Sequence, residues 1–303
     1  MASLKEIRSR INSVTNTRKI TGAMKMVSSA KLHRAQEWVV HFNPYYSRIK
    51  GILDAYIESG GDTRDTVLLS KQREIKRVAI VAFSSNSSLC GSFNSNVQKK
   101  LKEVLSDKYA SIPKKNISLY LIGKKVYEDI TKVFAEYEIK GPFFDLAHKP
   151  DRGAMDDICN ELTKLFLLKE IDKVEIIYNR FKNTVSQAIT CETLLPVVSE
   201  NSANNSTNNG VNDRRKRGIN YIVEPNAEQF LDAIVPEILH LQMYGAMLNS
   251  YASEHGARTT AMQFATDNAD ELIESLVLEY NKLRQDAITK EIIDIIGGSE
   301  VQR

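Results

Sequence analysis

"LNSYASEHGARTTAMQFATDNADELIESL", Leu248–Leu276, decides the fold of this 303-residue chain. Leu248, Tyr251, His255, Arg258, Met262, Ala265, Ala269, Leu272 and Leu276 recur at alternating steps of 3 and 4. That spacing lays them along one narrow stripe of a helix, the pattern of a two-stranded coil rather than the broad apolar face of a globular helix. Glu224-Pro225 opens the segment, and the pattern runs from Asn226 to about Ile296. Roughly 70 residues at ~1.5 Å each predict a helix on the order of 100 Å.

Such a helix needs a partner, and the N-terminus offers one. Residues 3–57 read as a second long helix, on the order of 80 Å by the same rule. Leu4, Ile7, Ile11 and Val14, then Ile20, Met24 and Val27, and later Trp38, Tyr45, Ile49, Ile52 and Tyr56 mark its apolar positions. Asn43-Pro44 predicts a kink or local break, and Gly60-Gly61 ends the helix. Residues 1–50 carry 10 Lys/Arg against 2 Asp/Glu, whereas residues 226–303 carry 5 against 13. The ends are electrostatically complementary, which favours laying one against the other as an antiparallel coiled coil.

Between them the period changes. "RVAIVAF" (77–83), "SLYLIG" (118–123) and "VEIIYNRF" (174–181) are β-rich apolar runs of strand length, and "QAITCETLLPV" (187–197) supplies a further strand. Helical stretches lie around 94–107, 124–136 and 153–170. Alternation of strand and helix predicts a mostly parallel, Rossmann-like α/β domain. The expected organisation is an N-terminal long helix over 1–58, the α/β domain over 74–197, a polar Asn-rich loop over 198–219, and a foot strand with the C-terminal long helix over 220–303. The basic run Arg214–Arg217 in that loop reads as a solvated charge run rather than a nucleic-acid patch.

The tests for chemistry come out negative. Gly123-Lys124 lacks the earlier Gly and following Ser/Thr of a phosphate loop: Ser118 and Lys125 stand there. "SSNSSLCGSFNSN" (84–96) has a single Gly and no G-x-G-x-x-G. Cys90, Cys159 and Cys191, an odd count with no C-x-x-C pairing, argue against a disulfide framework and a zinc site, and they read as packed thiols. The five His residues have no metal-ligand spacing, and His255 on the seam reads as a packed His. No catalytic, cofactor-binding or metal residues are assigned. No apolar run approaches the roughly 20 residues of a membrane span, and the N-terminus has no secretory h-region.

Three stretches carry a resemblance. "IRSRINSVTNTRKITGAMKMVSSAKLHRAQ" (7–36), "LCGSFN" (89–94) and "SEHGARTTAMQFATDNADELIESLVLEYNKLRQDAITKEIIDIIGG" (253–298) resemble, in order and position, the gamma subunit of F-type ATP synthases, the central rotor shaft. Gly22 departs from the family's usual Lys, "SSNSSLCG" lacks its usual Asp and Arg, and "GGSEVQR" lacks its small apolar finish. The resemblance implies a non-catalytic subunit, without cofactor, that couples proton-driven rotation of the c-ring to ATP synthesis, reversibly to hydrolysis with proton pumping. It implies one copy per complex, with alpha and beta subunits, epsilon and the c-ring as partners and no nucleic acid. The chain would lie peripherally on the cytoplasmic face of a bacterial inner membrane. By the same resemblance Met24, Lys25, Arg258, Arg284, Gln285, Thr289 and Glu291 touch beta, and Tyr221 and Glu224 form the foot that meets epsilon and the c-ring. Two other readings compete. An α/β enzyme with helical arms requires the motifs that fail above; a coiled-coil scaffold with a basic nucleic-acid arm requires cations that the acidic helix does not neutralise.

Overall fold

The computed structural model describes residues 4–58, 69, 73–134, 136–197, 224 and 226–301. The Asn-rich loop, Tyr221 and the foot strand expected around 220 lie outside the described residues. Chain packing divides the protein into two compact units, one of residues 1–30 and 258–303, the other of residues 31–257. The long helices α1 (Leu4–Glu58) and α6 (Ala227–Val301) each contribute to both.

The larger unit is built on a five-stranded sheet of order β3-β2-β1-β4-β5. Its strands are β1 (Val78–Phe83), β2 (Ile117–Ile122), β3 (Glu138–Phe143), β4 (Lys173–Phe181) and β5 (Gln187–Leu195). β1 pairs in parallel with β2 and β4, β2 in parallel with β3, and β5 closes the edge antiparallel to β4. All six residues of β1 are buried. A central parallel strand is covered on both faces, which is why "VAIVAF" shows no polar alternation.

Helices α2 (Phe93–Glu103) and α3 (Lys124–Val133) cover one face, over Val78, Ile80, Ala82, Leu119, Leu121 and Ile177. The other face, including Val81, Phe83, Tyr120 and Ile176, packs on α5 (Arg152–Leu167) and on the α6 segment from Leu231 to Met247. The short α4 (Phe144–His148) leads into α5, whose first turn is capped by Asp151 accepting from the Gly153 amide at 2.9 Å. Asn226 caps α6 in the same way, accepting from the Gln229 amide at 2.8 Å. Gly123, at φ +98, opens α3 against the Ser84 backbone; a Cβ there would sit 2.3 Å from the Ser84 carbonyl oxygen, so only Gly fits.

In this unit α1 and α6 run antiparallel. Trp38 lies against Tyr251, Phe42 against Tyr244 and Tyr56 against Phe230, the partner's number falling as that of α1 rises. Buried Leu32, Ala35 and Leu53, with half-buried Val39, Phe42, Tyr46 and Ile49, form an unbroken stripe of steps of 3 and 4. The break expected at Asn43-Pro44 does not occur, and α1 passes through Pro44 as helix. Pro44 is exposed, so the carbonyl it leaves without a helical donor can be hydrated, and the aromatic packing of Phe42 and Tyr46 holds the turn.

In the smaller unit the helices are again antiparallel, Arg18 meeting Asp270 at 2.7 Å and Thr21 meeting Thr266 at 2.9 Å. Here the seam differs from the apolar pattern. Ile7, Thr21 and Ser28 are buried, with Ile11 and Val14 half-buried, whereas Ile20 and Val27 face outward. On α6 the seam steps through Met262, Thr266, Ala269, Ile273 and Leu276, so Leu272, expected inside, is exposed. Thr and Ser take inner positions because a two-helix seam is shallow. A hydroxyl there can turn back onto a helix carbonyl, as Thr266 does to Met262 at 2.8 Å and Thr21 to Arg18 at 3.0 Å.

Candidate partner-binding surfaces

In doubly wound sheets a ligand sits at the carboxyl ends of the strands where the strand order reverses, between β1 and β4 in this order. Here the chain's own α6 stands at that position. Ser253 donates to the Asn179 carbonyl of β4 at 2.9 Å, and Gly256 lies against Phe181 and Thr184. The loop after β1 is closed on itself: Asn94 donates to Ser85 Oγ at 2.8 Å and to Cys90 Sγ at 3.3 Å, while Asn86 accepts from the Lys124 amide at 3.1 Å. Groups that cradle a phosphate in other proteins of this topology are here engaged with one another.

The titratable groups are also committed to structure. Burial pushes the Glu175 carboxyl up, but the Lys108 and Lys173 ammoniums outweigh it and hold it below the usual carboxylate range. Burial raises the Cys191 thiol to about 12, with the neighbouring Glu175 carboxylate adding to the effect. Cys159, wholly buried, is likewise pushed to about 12. Such thiols carry almost no thiolate near neutrality, so they are poor nucleophiles. Burial also lifts Tyr120 to about 12, where Lys140 and Glu161 hydrogen-bond it. His255 is buried, its ring edge-on to Tyr251 at 4.5 Å, as a packed seam His should be. Among the described residues no group of His, Cys, Asp or Glu is placed to hold a metal ion, and no helix is long and apolar enough to cross a membrane.

What the smaller unit does present is surface. Ile20, Met26 and Val27 on α1 are 60, 75 and 59 % exposed, and Phe264, Leu278, Ile292 and Ile293 on α6 also point outward. Cations lie among them on the same helix: Arg18 and Lys19 are exposed, and Lys25 is half-buried. The seam keeps Ile7, Ile11 and Val14 inside, but at Thr21 and Ser28 hydroxyls take the inner positions while Ile20, Met26 and Val27 face outward. Large apolar side chains exposed within two turns of one helix mark contact with another macromolecule.

The residues singled out from the sequence fall into three groups. Arg284, Gln285, Thr289 and Glu291 are exposed, and Thr289 spends its hydroxyl proton locally on the Gln285 carbonyl at 2.9 Å. Met24 and Lys25 are half-buried. Arg258, which the apolar register places on the seam, is 6 % exposed. Glu224 is exposed. Ile20, Met26 and Phe264 were not legible as surface residues; the one available signal was Thr21 and Ser28, seven residues apart in phase with Ile7 and Val14. A Cβ on Gly22 meets nothing within 4 Å, so its Gly is not demanded by packing.

An α/β domain whose own long helix stands at the switch point, and a coiled coil that leaves large apolar side chains exposed, together define a surface-presenting chain. A family profile described as ATP synthase matches residues 3–301. The ATP synthase gamma chain of Phocaeicola vulgatus is 44 % identical over 299 residues, and that of Bacteroides fragilis 45 % over 300, each alignment covering 99 % of both chains. That of Cytophaga hutchinsonii is 41 % identical over 303 residues, again with 99 % of both chains covered. The chain belongs to the ATP synthase gamma-chain family. Among solved structures, a chain of the Euglena gracilis mitochondrial ATP synthase OSCP/F1/c-ring assembly has the same fold, with TM-score 0.65, 17 % identity and coverage of 99 and 94 %. A chain of the Tetrahymena thermophila central stalk and c-ring does so at TM-score 0.56, 20 % identity and coverage of 81 and 99 %.

Proposed function

We propose that this chain is the central rotor subunit of an F-type ATP synthase. It performs no chemistry itself and couples proton-driven rotation of the c-ring to conformational change at the catalytic sites of beta. The observation that carries the reading is the exposed apolar stretch of the coil. Ile20, Met26 and Val27 stand outside a seam that holds Thr21 and Ser28, an arrangement that makes sense when another protein surrounds the helix pair. The collinear match to gamma chains and the fold shared with F1/c-ring assemblies support it.

In this reading the smaller unit enters the alpha3beta3 head. Exposed Arg284, Gln285, Thr289 and Glu291, half-buried Met24 and Lys25, and Arg258 contact beta. The larger unit meets epsilon and the c-ring, with Tyr221 and Glu224 at the foot. The assembly is peripheral on the cytoplasmic face of a bacterial inner membrane, and the chain binds no nucleotide or nucleic acid. An asymmetric shaft favours a different conformation in each beta it faces, so coupling arises from differential contact with two or more states.

Coexpression of the tagged chain with its native alpha and beta subunits, followed by native mass spectrometry, tests the reading. One copy bound to three alpha and three beta is expected. A chain that elutes without the head contradicts it.

A further inference from the structure

The junction between α6 and the sheet holds one feature that neither packing nor the partner surfaces explain. β4 outruns its neighbour: β1 pairs with it only as far as Ile177, and the stretch from Tyr178 to Phe181 has β5 alone beside it. The β1-facing edge of this overhang therefore lacks a strand. α6 takes the strand's place with side chains. Ser253 Oγ donates to the Asn179 carbonyl at 2.9 Å, and the Phe181 amide donates to Asn249 Oδ1 at 3.4 Å. The residues are four apart on the helix and two apart on the strand, which are nearly equal distances along the two elements. Asn249 is steadied by donating to the Gly245 carbonyl at 2.8 Å, Ser253 is fully buried, and Asn179 is buried with its amide on the Phe93 carbonyl at 3.5 Å.

Around these bonds the junction is largely apolar, Leu239, Met243, Ala246 and Met247 of α6 packing on the sheet, with Gln242 donating to the Thr193 carbonyl of β5 at 3.4 Å as a further polar tie. Apolar burial is non-directional in its driving force, so the register of a helix on a sheet rests on side-chain interdigitation and on directional contacts. Hydrogen bonds decay steeply with angle and distance, so they resist a shift of that register.

We propose that Asn249 and Ser253 are positioning residues of the rotor: a torsional key that fixes α6 to β4 in one register, through which load passes between the helix and the α/β domain. This deepens the rotor reading and rests on it. A key of this kind is not needed for assembly or for ATP hydrolysis by the head, but it is needed for tight coupling of hydrolysis to transport.

The test uses the complete complex reconstituted in vesicles, with ATP hydrolysis and ATP-driven proton uptake measured on the same preparation. Asn249→Leu combined with Ser253→Ala should retain hydrolysis and lower the protons taken up per ATP several-fold, while Ser253→Thr, which keeps the hydroxyl, should match wild type. An unchanged ratio in the double variant overturns the proposal. Should that variant not assemble, Ser253→Ala alone carries the test, with a lowered ratio expected and an unchanged one again decisive against the key. Hydrogen exchange of the Phe181 amide gives a readout independent of coupling: Asn249→Leu should accelerate it, and unaltered exchange also refutes the key. Wild-type chain that fails to restore proton uptake to complexes lacking it would overturn the rotor reading itself, and that control is read before any variant.

Discussion

Replacing Ile20, Met26 and Val27 together by Gln separates a surface made for a partner from one made for the chain. All three are more than half exposed, so their loss removes little from the isolated fold. Exposed substitutions usually fall within about 0.5 kcal/mol each, and Gln is a good helix former. Enclosure by the head changes the magnitude. Full burial of such side chains is worth about 1.5–3 kcal/mol each, and roughly two-thirds of each remains to be buried, so about 1–2 kcal/mol apiece is at stake. Together that is about 3–6 kcal/mol of association, and ~3 kcal/mol already corresponds to roughly a hundredfold in Kd. Titration of fluorescently labelled chain with the alpha3beta3 head measures the affinity, and circular dichroism melts of the free chain measure the fold. The expected outcome is a free chain that melts as wild type and binds at least about a hundredfold more weakly. Wild-type affinity would refute the reasoning. So would a variant that loses helix content on its own, because the three side chains would then belong to the interior.

Three further outcomes follow from particular contacts. Thr21→Val and Thr266→Val should each cost no more than about 1 kcal/mol, because the hydroxyl left behind keeps its bond to its own helix carbonyl, and the double substitution should cost less than the two losses summed, since the hydroxyls meet at 2.9 Å; urea unfolding of the four forms gives the coupling, and additive losses would show that the hydroxyls do not interact. Glu175 is held below the ordinary carboxylate range in the folded chain, so it contributes stability above its unfolded pKa of about 4.3 that is lost as the pH falls through the lower folded value. The melting temperature of wild type should accordingly drop more steeply on the acid side than that of Glu175→Gln, and parallel curves would contradict the assignment. Arg284→Ala with Gln285→Ala, both exposed, should leave the melting temperature unchanged and depress ATP synthesis in energised vesicles; wild-type synthesis rates would remove these residues from the beta contact.

The long helices were legible from their steps of 3 and 4, and β1, β2 and β4 from short, β-rich apolar runs of strand length. β3 was not legible. It is an edge strand, "EIKGPF", half-exposed and carrying Gly141-Pro142, and an edge needs neither continuous burial nor every amide. The α1 seam was misread for a deeper reason. Hydrophobicity reports where a side chain ends up in the final assembly, whereas the seam reports where it lies in the chain. Ile20 and Val27 carried the apolar signal and face outward; Thr21 and Ser28 carried the correct spacing with little apolar signal. The Asn249–Ser253 contact was hidden because it joins a helix to backbone groups of a strand some 70 residues away, and backbone groups leave no mark in sequence.

Single-molecule rotation addresses the central claim most directly. The alpha3beta3 head is fixed to a surface, and a gold particle is attached through an added cysteine on the exposed face of the α/β domain. With ATP supplied, the account predicts sustained rotation of the particle in one direction, stopping when ATP is removed. A particle that stays still, or only diffuses, while the same heads hydrolyse ATP would contradict the assignment of this chain as the rotor.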